Sequence, residues 1–209
     1  MATTPASRTL RLRREAWGFM VGSAFFALGA VPWYAGAVGP VWGALTFFAG
    51  SIFFTFAGLI QLLLSGRRPP LRGASAADAF DWWAAAIQFV GTLLFNVSTF
   101  AVLLAAYRAL DEPTAGWMPD AWGSAAFLVS SALALVAAGR RHELWDPDAR
   151  TWRGTWLNMA GSVAFGISAI GAYVIPATGD FVDVRWINLG TFIGAVCFFV
   201  AAALSRRGI

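Results

Sequence analysis

The 209-residue chain is 58% hydrophobic and only 12% charged, with a mean hydropathy of +0.64. A soluble domain averages ~25% charged residues, so this composition excludes an ordinary soluble globular protein. The formal net charge is +4, and all 15 basic residues are arginines. In so apolar a chain, arginines between membrane spans favour a role in membrane orientation over nucleic-acid binding.

Residues that commonly carry metal or redox chemistry are scarce. Cys197 is the single cysteine, so the chain forms no intrachain disulfide and no cysteine-based metal cluster. His142 is the single histidine, which excludes a bis-histidine haem or a three-histidine zinc site within one chain. No nucleophile motif, phosphate-binding loop or dinucleotide fingerprint is present. The sequence therefore predicts a non-enzymatic protein without a cofactor or a metal.

Six apolar runs follow one another, each close to the ~20 residues that a helix needs to cross a bilayer. They predict helices at residues 16–34, 41–64, 82–106, 121–138, 155–175 and 184–204. The first run follows four arginines, as in a signal peptide, but its aromatic residues and the five later runs indicate a retained helix. The predicted fold is all-α, a polytopic membrane protein with one domain over residues 1–209. Its six transmembrane helices form three hairpins at about 16–64, 82–138 and 155–205.

The connections between these helices alternate in charge. Thirteen arginines lie in the two termini and the 65–79 and 139–154 connections, and two, Arg108 and Arg185, lie in the other three connections. The first of those three, the glycine-rich segment 35–40, is predicted to be an uncharged turn. The end of the bundle with the thirteen arginines also carries six acidic residues, so its net charge is +7. The opposite end carries two arginines and five acidic residues, so its net charge is −3. Because arginine marks cytoplasmic loops, both termini are predicted to be cytoplasmic. We call the two ends the arginine-rich end and the acidic end.

The positions of the eleven tryptophans agree with the predicted helices and their orientation in the membrane. All lie at or near the ends of predicted helices or in a connection, and none lies at mid-span. An indole ring prefers the headgroup level, where its apolar body and its N–H are both satisfied. This distribution favours anchoring in lipid, and the alternative is a tryptophan-lined site for sugars or quaternary amines.

A glycine followed four residues later by a phenylalanine recurs along the chain. The pairs are Gly22 and Phe26, Gly50 and Phe54, Gly91 and Phe95, Gly161 and Phe165, and Gly194 and Phe198. Helix 4 is matched less well, by Ser130-Ser131 with Ala134 in place of the phenylalanine. Trp42, Trp122 and Trp186 support this alignment, because each precedes the small residue by eight positions.

Membrane helices associate through close packing over small residues, and positions i and i+4 share one helix face. The glycine–phenylalanine pairs are therefore predicted to be helix-packing residues. Their recurrence predicts an internal repeat of roughly sixty to seventy residues, a two-helix hairpin present three times.

The paired Gly-Ser-x-x-Phe helices, joined by a short turn, resemble the YrhK-like family of small bacterial membrane proteins. The segments that carry the resemblance are 22–26, Gly-Ser-Ala-Phe-Phe, and 50–54, Gly-Ser-Ile-Phe-Phe. The resemblance implies a bacterial plasma-membrane protein built from such hairpins. It implies no activity and no functional residue.

Helix 3 carries a polar stripe. At ~100° per residue, its members fall within an arc of about 80°. They are Gln88, Thr92, Asn96 and Thr99. An unpaired amide near mid-bilayer is costly, so the polar stripe is predicted to face the bundle interior. It either forms hydrogen bonds between helices or lines a path for a small solute.

Two charged groups are candidate ion sites. The first, in residues 140–148, consists of His142, Glu143, Asp146 and Asp148. It lacks the second histidine of a metalloprotease helix, and salt bridges beside anionic lipid are the favoured interpretation. The second, at the acidic end, consists of Asp111, Glu112, Asp120, Asp180 and Asp183. These residues either attract cations or are solvated loop charges, and the latter is favoured.

The sequence thus favours a non-enzymatic integral membrane protein that acts through helix packing and assembly, with itself or with a partner membrane protein. The alternative is a channel or facilitator for small solutes or ions that uses the polar stripe. The expected partners are the lipid bilayer and a second copy or another membrane protein, and not nucleic acid.

Overall fold

A computed structural model describes residues 5–66, 69–70, 75–107, 116–146 and 151–207. Its helices are α1 (Pro5–Gly29), α2 (Pro32–Ser65), α3 (Ala76–Ala106), α4 (Trp117–Arg140), α5 (Trp152–Gly171) and α6 (Val184–Arg207). Each helix packs against its neighbours in sequence, and α6 packs against α1, so the helices form a closed ring. Contacts are most extensive within the pairs α1–α2, α3–α4 and α5–α6. The predicted all-α class is confirmed for the described residues.

Four helices, α2, α3, α4 and α6, are long and apolar enough to cross a membrane, which supports a multi-pass membrane protein. The other two are less apolar for different reasons. In α1 the apolar part begins only after Glu15 and ends at Gly29, which is shorter than the ~20 residues of a typical span. The 20 residues of α5 include two tryptophans, an asparagine and several glycines and serines, which lower its hydropathy.

Helix boundaries differ from the prediction at both ends of the bundle, most of all at the starts of α1, α2 and α3. α1 begins at Pro5 and not at residue 16, and α3 begins at Ala76 and not at residue 82. Ser75 caps α3, because its hydroxyl accepts a hydrogen bond from the backbone N–H of Asp78 at 3.1 Å. Charged and polar residues thus continue these helices beyond the apolar runs, and a search for apolar runs cannot detect them.

The turn predicted at residues 35–40 is narrower in the structure: the helix is interrupted at Gly39, and residues 32–38 before it are helical. The chain leaves α1 at residues 30–31, and Pro32 then occupies the first turn of α2, where its missing N–H costs nothing. Within the predicted turn only Gly39 is non-helical, with φ 79° and ψ 173°, and Pro40 follows it. Glycine accepts a positive φ and proline cannot donate to the helix ladder, so the helix is interrupted at this pair, and Pro32–Ser65 consists of two helical segments joined at a kink. The hydroxyl groups of Tyr34 and Thr46 lie 2.8 Å apart, whereas a continuous helix would separate these residues by about 18 Å along its axis, so the first segment folds back at Gly39.

In the α1–α2 pair, each helix packs a phenylalanine against a glycine of the other. A Cβ atom added to Gly22 would lie 2.6 Å from Cδ2 of Phe54 and 2.9 Å from the carbonyl oxygen of Gly50. A Cβ added to Gly50 would lie 2.8 Å from Cδ2 of Phe26. Only glycine permits so close an approach of the two helices. We call this reciprocal arrangement the Gly–Phe contact.

The other two pairs form the same contact. In α5–α6, an added Cβ would lie 2.9 Å from the Phe198 ring at Gly161 and 2.6 Å from the Phe165 ring at Gly194. In α3–α4, it would lie 2.7 Å from the Phe127 ring at Gly91 and 3.0 Å from the Phe95 ring at Gly123. All six helices therefore use a glycine and a phenylalanine four residues apart.

This geometry corrects the assignment of the motif in α4. Gly123 and Phe127 form the Gly–Phe contact, so the prediction of Ser130-Ser131 with Ala134 is wrong. Residues 123–127, Gly-Ser-Ala-Ala-Phe, match the Gly-Ser-x-x-Phe pattern. The alignment on Trp122 shifted the motif by two helical turns. Ser130 has another role, since its hydroxyl donates to the carbonyl oxygen of Ala84 at 2.8 Å.

The six phenylalanines meet on the axis of the ring, where each is at most 7% exposed. Phe26, Phe95 and Phe165, from the odd-numbered helices, form one triad with ring centroids 5.8–6.3 Å apart. Phe54, Phe127 and Phe198, from the even-numbered helices, form a second triad at 5.5–6.2 Å. Within each helix pair the two rings are 5.1–5.4 Å apart. We call these six residues the phenylalanine core.

The residue after each glycine is also buried. Ser23, Ser51, Thr92, Ser124, Ser162 and Ala195 are all at most 3% exposed. Some of these hydroxyls join neighbouring helix pairs: Ser51 hydrogen bonds to Thr99 of α3 at 2.9 Å, and Ser162 to Ser131 of α4 at 2.8 Å. Glycine and phenylalanine thus hold the helices of a pair together, and hydroxyl contacts connect α2 to α3 and α4 to α5. The hydroxyl of Ser23 on α1 is buried without a partner among the described residues.

Substitution of Gly22 by alanine should destabilise the protein. The new methyl group would meet both the Phe54 ring and the backbone of Gly50, and overpacking of this kind costs about 1–3 kcal/mol. The measurement is the free energy of unfolding of the purified protein in detergent. Gly43→Ala is the matched control, because a Cβ there has no neighbour within 4 Å. Equal stability of the two variants would contradict the Gly–Phe contact.

Candidate functional site

The polar stripe of α3 is divided among three environments. Gln88 lines a cavity at the arginine-rich end, and Thr99 lines a second cavity at the acidic end. Thr92 and Asn96 lie between them, against α2. The stripe therefore does not line one continuous path along the described part of the ring, because the phenylalanine core lies between the two cavities.

Asn96 is used mainly for helix packing. Its Nδ2 donates to Oγ1 of Thr55 on α2 at 2.8 Å, and that hydroxyl donates to the carbonyl oxygen of Thr92 at 3.3 Å. Oδ1 of Asn96 is buried without a hydrogen-bond partner among the described residues. The amide thus has one favourable bond between helices and one unsatisfied acceptor, and the latter offsets part of the gain.

The cavity at the arginine-rich end has a volume of about 390 Å³ and is lined by five helices and Thr151. Its polar wall consists of Glu15, Gln61, Gln88 and Asn158 with nearby hydroxyls, and Phe19 and Phe198 close it toward the phenylalanine core. Oε1 of Gln61 is buried without a partner among the described residues. Glu15 precedes the apolar part of α1, and burial raises the pKa of its carboxyl group.

The cavity at the acidic end has a volume of about 330 Å³ and is lined by all six helices and the α5–α6 connection. Aromatic side chains make up much of its wall: Phe26, Phe47, Trp117 and Phe181. The carboxyl group of Asp120, in the first turn of α4, is the charged group in this wall. The hydroxyl groups come from Ser98, Thr99, Ser168 and Thr191.

The other acidic residues of this end lie elsewhere. Asp183 caps α6, because its Oδ1 accepts a hydrogen bond from the backbone N–H of Arg185 at 2.7 Å. Asp180 is exposed in the α5–α6 connection. Asp111 and Glu112 lie outside the described residues. The predicted set thus contributes one residue, Asp120, to a described cavity.

Residues 140–146, the described part of the 140–148 segment, form a helix cap with salt bridges. His142 has φ 61°, and the N–H groups of His142 and Glu143 donate back to α4, which is the hydrogen-bond pattern of a Schellman cap. Nη1 of Arg141 donates to Asp81 of α3 at 2.9 Å, and Glu143 accepts from Thr151 at 3.1 Å. Within the described ranges, no group of three or more potential metal ligands occurs.

Several predicted features lie outside the described residues and receive no structural account. They are Arg67, Arg68, Arg72, Arg108, Asp148 and Arg150.

Comparison with known proteins gives no match: no protein-family model, curated protein or solved structure corresponds to the chain. The resemblance to the YrhK-like family therefore stays a prediction from the sequence.

Sequence reasoning missed Gly123, Phe127 and both cavities. The first two carry a clear signal, the Gly-Ser-x-x-Phe pattern at 123–127. The cavities have no signal of this kind, since each is lined by residues from at least five helices and depends on how the whole ring packs.

Asn96→Leu and Thr55→Val should each lower stability only slightly. Hydrogen bonds between membrane helices are worth about 0.6 kcal/mol on average, and leucine also removes the unsatisfied Oδ1. The double variant should lose less than the sum of the single losses, because both remove the same bond. Free energies of unfolding in detergent provide the test, and strictly additive losses would show that the two side chains do not interact.

Proposed function

We propose that the chain crosses a bacterial plasma membrane six times, with both termini in the cytoplasm. The four long apolar helices support a multi-pass protein, and α1 and α5 complete the ring that these four leave open. Exposed tryptophans occur at both ends: Trp17, Trp83 and Trp145 at one, and Trp33, Trp42 and Trp122 at the other. The excess of arginine at the end with both termini supports the orientation.

The proposed fold is a hairpin present three times. The glycines of the Gly–Phe contact are 69 and 70 residues apart in the odd-numbered helices (91 − 22 and 161 − 91). In the even-numbered helices they are 73 and 71 residues apart (123 − 50 and 194 − 123). The matching contacts and the two phenylalanine triads support this repeat, which also underlies the proposed relation to YrhK-like hairpins.

The orientation is tested by cysteine labelling in a Cys197→Ser background. Cysteines placed at Thr178 and Ser65, which are exposed at opposite ends, should react differently with a membrane-impermeant maleimide. In intact spheroplasts Thr178→Cys should be labelled, and Ser65→Cys should be labelled only after the membrane is opened. The reverse pattern would overturn the orientation, and labelling of both sites would contradict an intact, uniformly inserted bundle.

For the function itself, we propose a non-enzymatic protein that binds small solutes and provides them with a gated path through the ring. The observation that carries this proposal is the pair of cavities at opposite ends, each with polar groups in its wall, separated on the axis by the phenylalanine core. Volumes of about 390 and 330 Å³ lie in the ~300–1,000 Å³ range of small-molecule sites. The polar stripe contributes a residue to each cavity, Gln88 and Thr99, which supports a solute function over a purely structural one.

Assembly with a second copy or a partner membrane protein is the second candidate. A groove between α4 and α5, the helix neighbours with the least extensive contact, supports it. Small residues such as Ala121, Ala125 and Gly166 line this groove, and such surfaces allow another helix to approach closely. The Gly–Phe contacts do not support assembly, because they are formed within the chain.

Removal of one ring of the phenylalanine core should increase permeability. In liposomes that contain Phe127→Ala, stopped-flow light scattering should show glycerol entry several-fold faster than with the unaltered protein. The reason is that Phe127 contacts rings of both triads, so its removal opens the barrier between the cavities. Phe56→Ala is the control, since this ring is 50% exposed on the outside of the bundle.

Unchanged glycerol entry in a folded Phe127→Ala protein would contradict the gated path. A stoichiometric partner or a stable oligomer recovered in mild detergent would then favour the assembly function.

A further inference from the structure

Asp120 is a carboxylate that has no countercharge among the described residues. It lies in the wall of the acidic-end cavity, and its carboxyl group forms no hydrogen bond or ion pair within the described chain. The carboxylates of Asp183 and Asp81, in contrast, accept hydrogen bonds from a helix N-terminus and from Arg141. Asp120 is only partly exposed, and a cation in the cavity would supply the partner that the described chain does not give its carboxylate.

Three of the four hydroxyl groups of the cavity, those of Thr99, Ser168 and Thr191, also favour a cation. Ser168 donates its proton to the carbonyl oxygen of Ile187 at 3.0 Å, so Thr191 must be the donor in its 2.8 Å contact with Ser168. Thr99 donates to the carbonyl oxygen of Phe95 at 2.7 Å. With their protons used, these groups offer a ligand lone pairs, as an ammonium ion requires.

The aromatic wall indicates that the cation is organic. Phe26, Phe47, Trp117 and Phe181 line the cavity, and aromatic faces attract ammonium groups while accommodating an apolar body. Trp117 is fixed in position, because its Nε1 donates to the carbonyl oxygen of Ala169 at 2.9 Å and its ring contacts Tyr173. A divalent metal ion prefers several oxygen ligands, and among the residues described here no cluster of three metal-binding side chains exists.

The net charge of the acidic end also favours a cationic ligand. The acidic end carries −3 against +7 at the arginine-rich end, and a local negative field raises the concentration of cations at the cavity entrance. A volume of about 330 Å³ suits a ligand of the size of a substituted phenyl or short alkyl ammonium ion.

We infer that the acidic-end cavity binds a small organic ammonium ion, with Asp120 as its counter-ion and Phe47 and Trp117 against its apolar part. This inference names the solute class for one cavity of the proposed function and rests on that function for its physiological meaning. Binding itself does not depend on passage through the phenylalanine core.

The test is isothermal titration calorimetry of the full chain in detergent with 2-phenylethylammonium, at constant ionic strength. The neutral alcohol 2-phenylethanol has the same apolar body and is the matched probe. The ammonium ion should bind measurably more tightly than the alcohol. Asp120→Asn should weaken its binding by at least about tenfold, because it removes the one charge that the ligand pairs with. Asp180→Asn, which removes an exposed charge at the same end, should leave the affinity unchanged.

A second variant covers the case in which Asp120→Asn does not fold. Phe47→Leu keeps an apolar side chain and should reduce the preference for the ammonium ion over the alcohol, because leucine has no aromatic face. Equal binding of the two probes by the unaltered protein would overturn the inference. So would an affinity that Asp120→Asn leaves unchanged, or no heat of binding for the ammonium ion. None of these results alters the glycerol experiment, so the inference and the gated path can fail separately.

Discussion

Close approach of two helix backbones is the constraint on which this bundle depends. Lipid tails are as apolar as the side chains, so burial of apolar surface gives membrane helices little reason to associate. The Gly–Phe contact supplies the attraction by another route, since a missing side chain on one helix makes room for a ring from the other. Each ring also reaches the axis, where it meets rings from the other pairs. Pairing of two helices and closure of the ring are therefore consequences of the same contact.

The parts of the Gly–Phe contact that depend only on spacing within one helix could be predicted from the sequence. A glycine and a phenylalanine four residues apart must share a helix face, so ten of the twelve residues of the contact were identified without coordinates. The α4 pair was missed because Ser130-Ser131 is also a small pair at a plausible distance from a tryptophan. Spacing alone cannot distinguish a small residue that packs against a ring from one whose hydroxyl bonds to Ala84.

Features that depend on contacts between helices could not be predicted from the spacing of residues along one helix. Asp120 and Asp183 look alike in the sequence, each near the start of an apolar helix at the acidic end. Asp183 caps its own helix, while Asp120 lies in the wall of a cavity. The difference depends on which neighbours the ring brings to each helix end. The same holds for the segment 35–40, in which residues 35–38 are helical and the chain folds back at Gly39.

The phenylalanine core separates the two cavities, and the strength of its contacts bears on whether that separation is permanent. Each aromatic pair is worth about 0.5–1.5 kcal/mol beyond its burial, so parting the three pairs of one triad costs a few kcal/mol. Conformational equilibria of that size keep a minor state populated at the level of ~0.1–10%. Phe26 belongs to one triad and also lines the acidic-end cavity. A ligand in that cavity therefore contacts the barrier directly. If the proposed path opens by movement of the Phe26 ring, a ligand that binds the open conformation more tightly than the closed one shifts the equilibrium toward the open conformation by that difference in binding free energy.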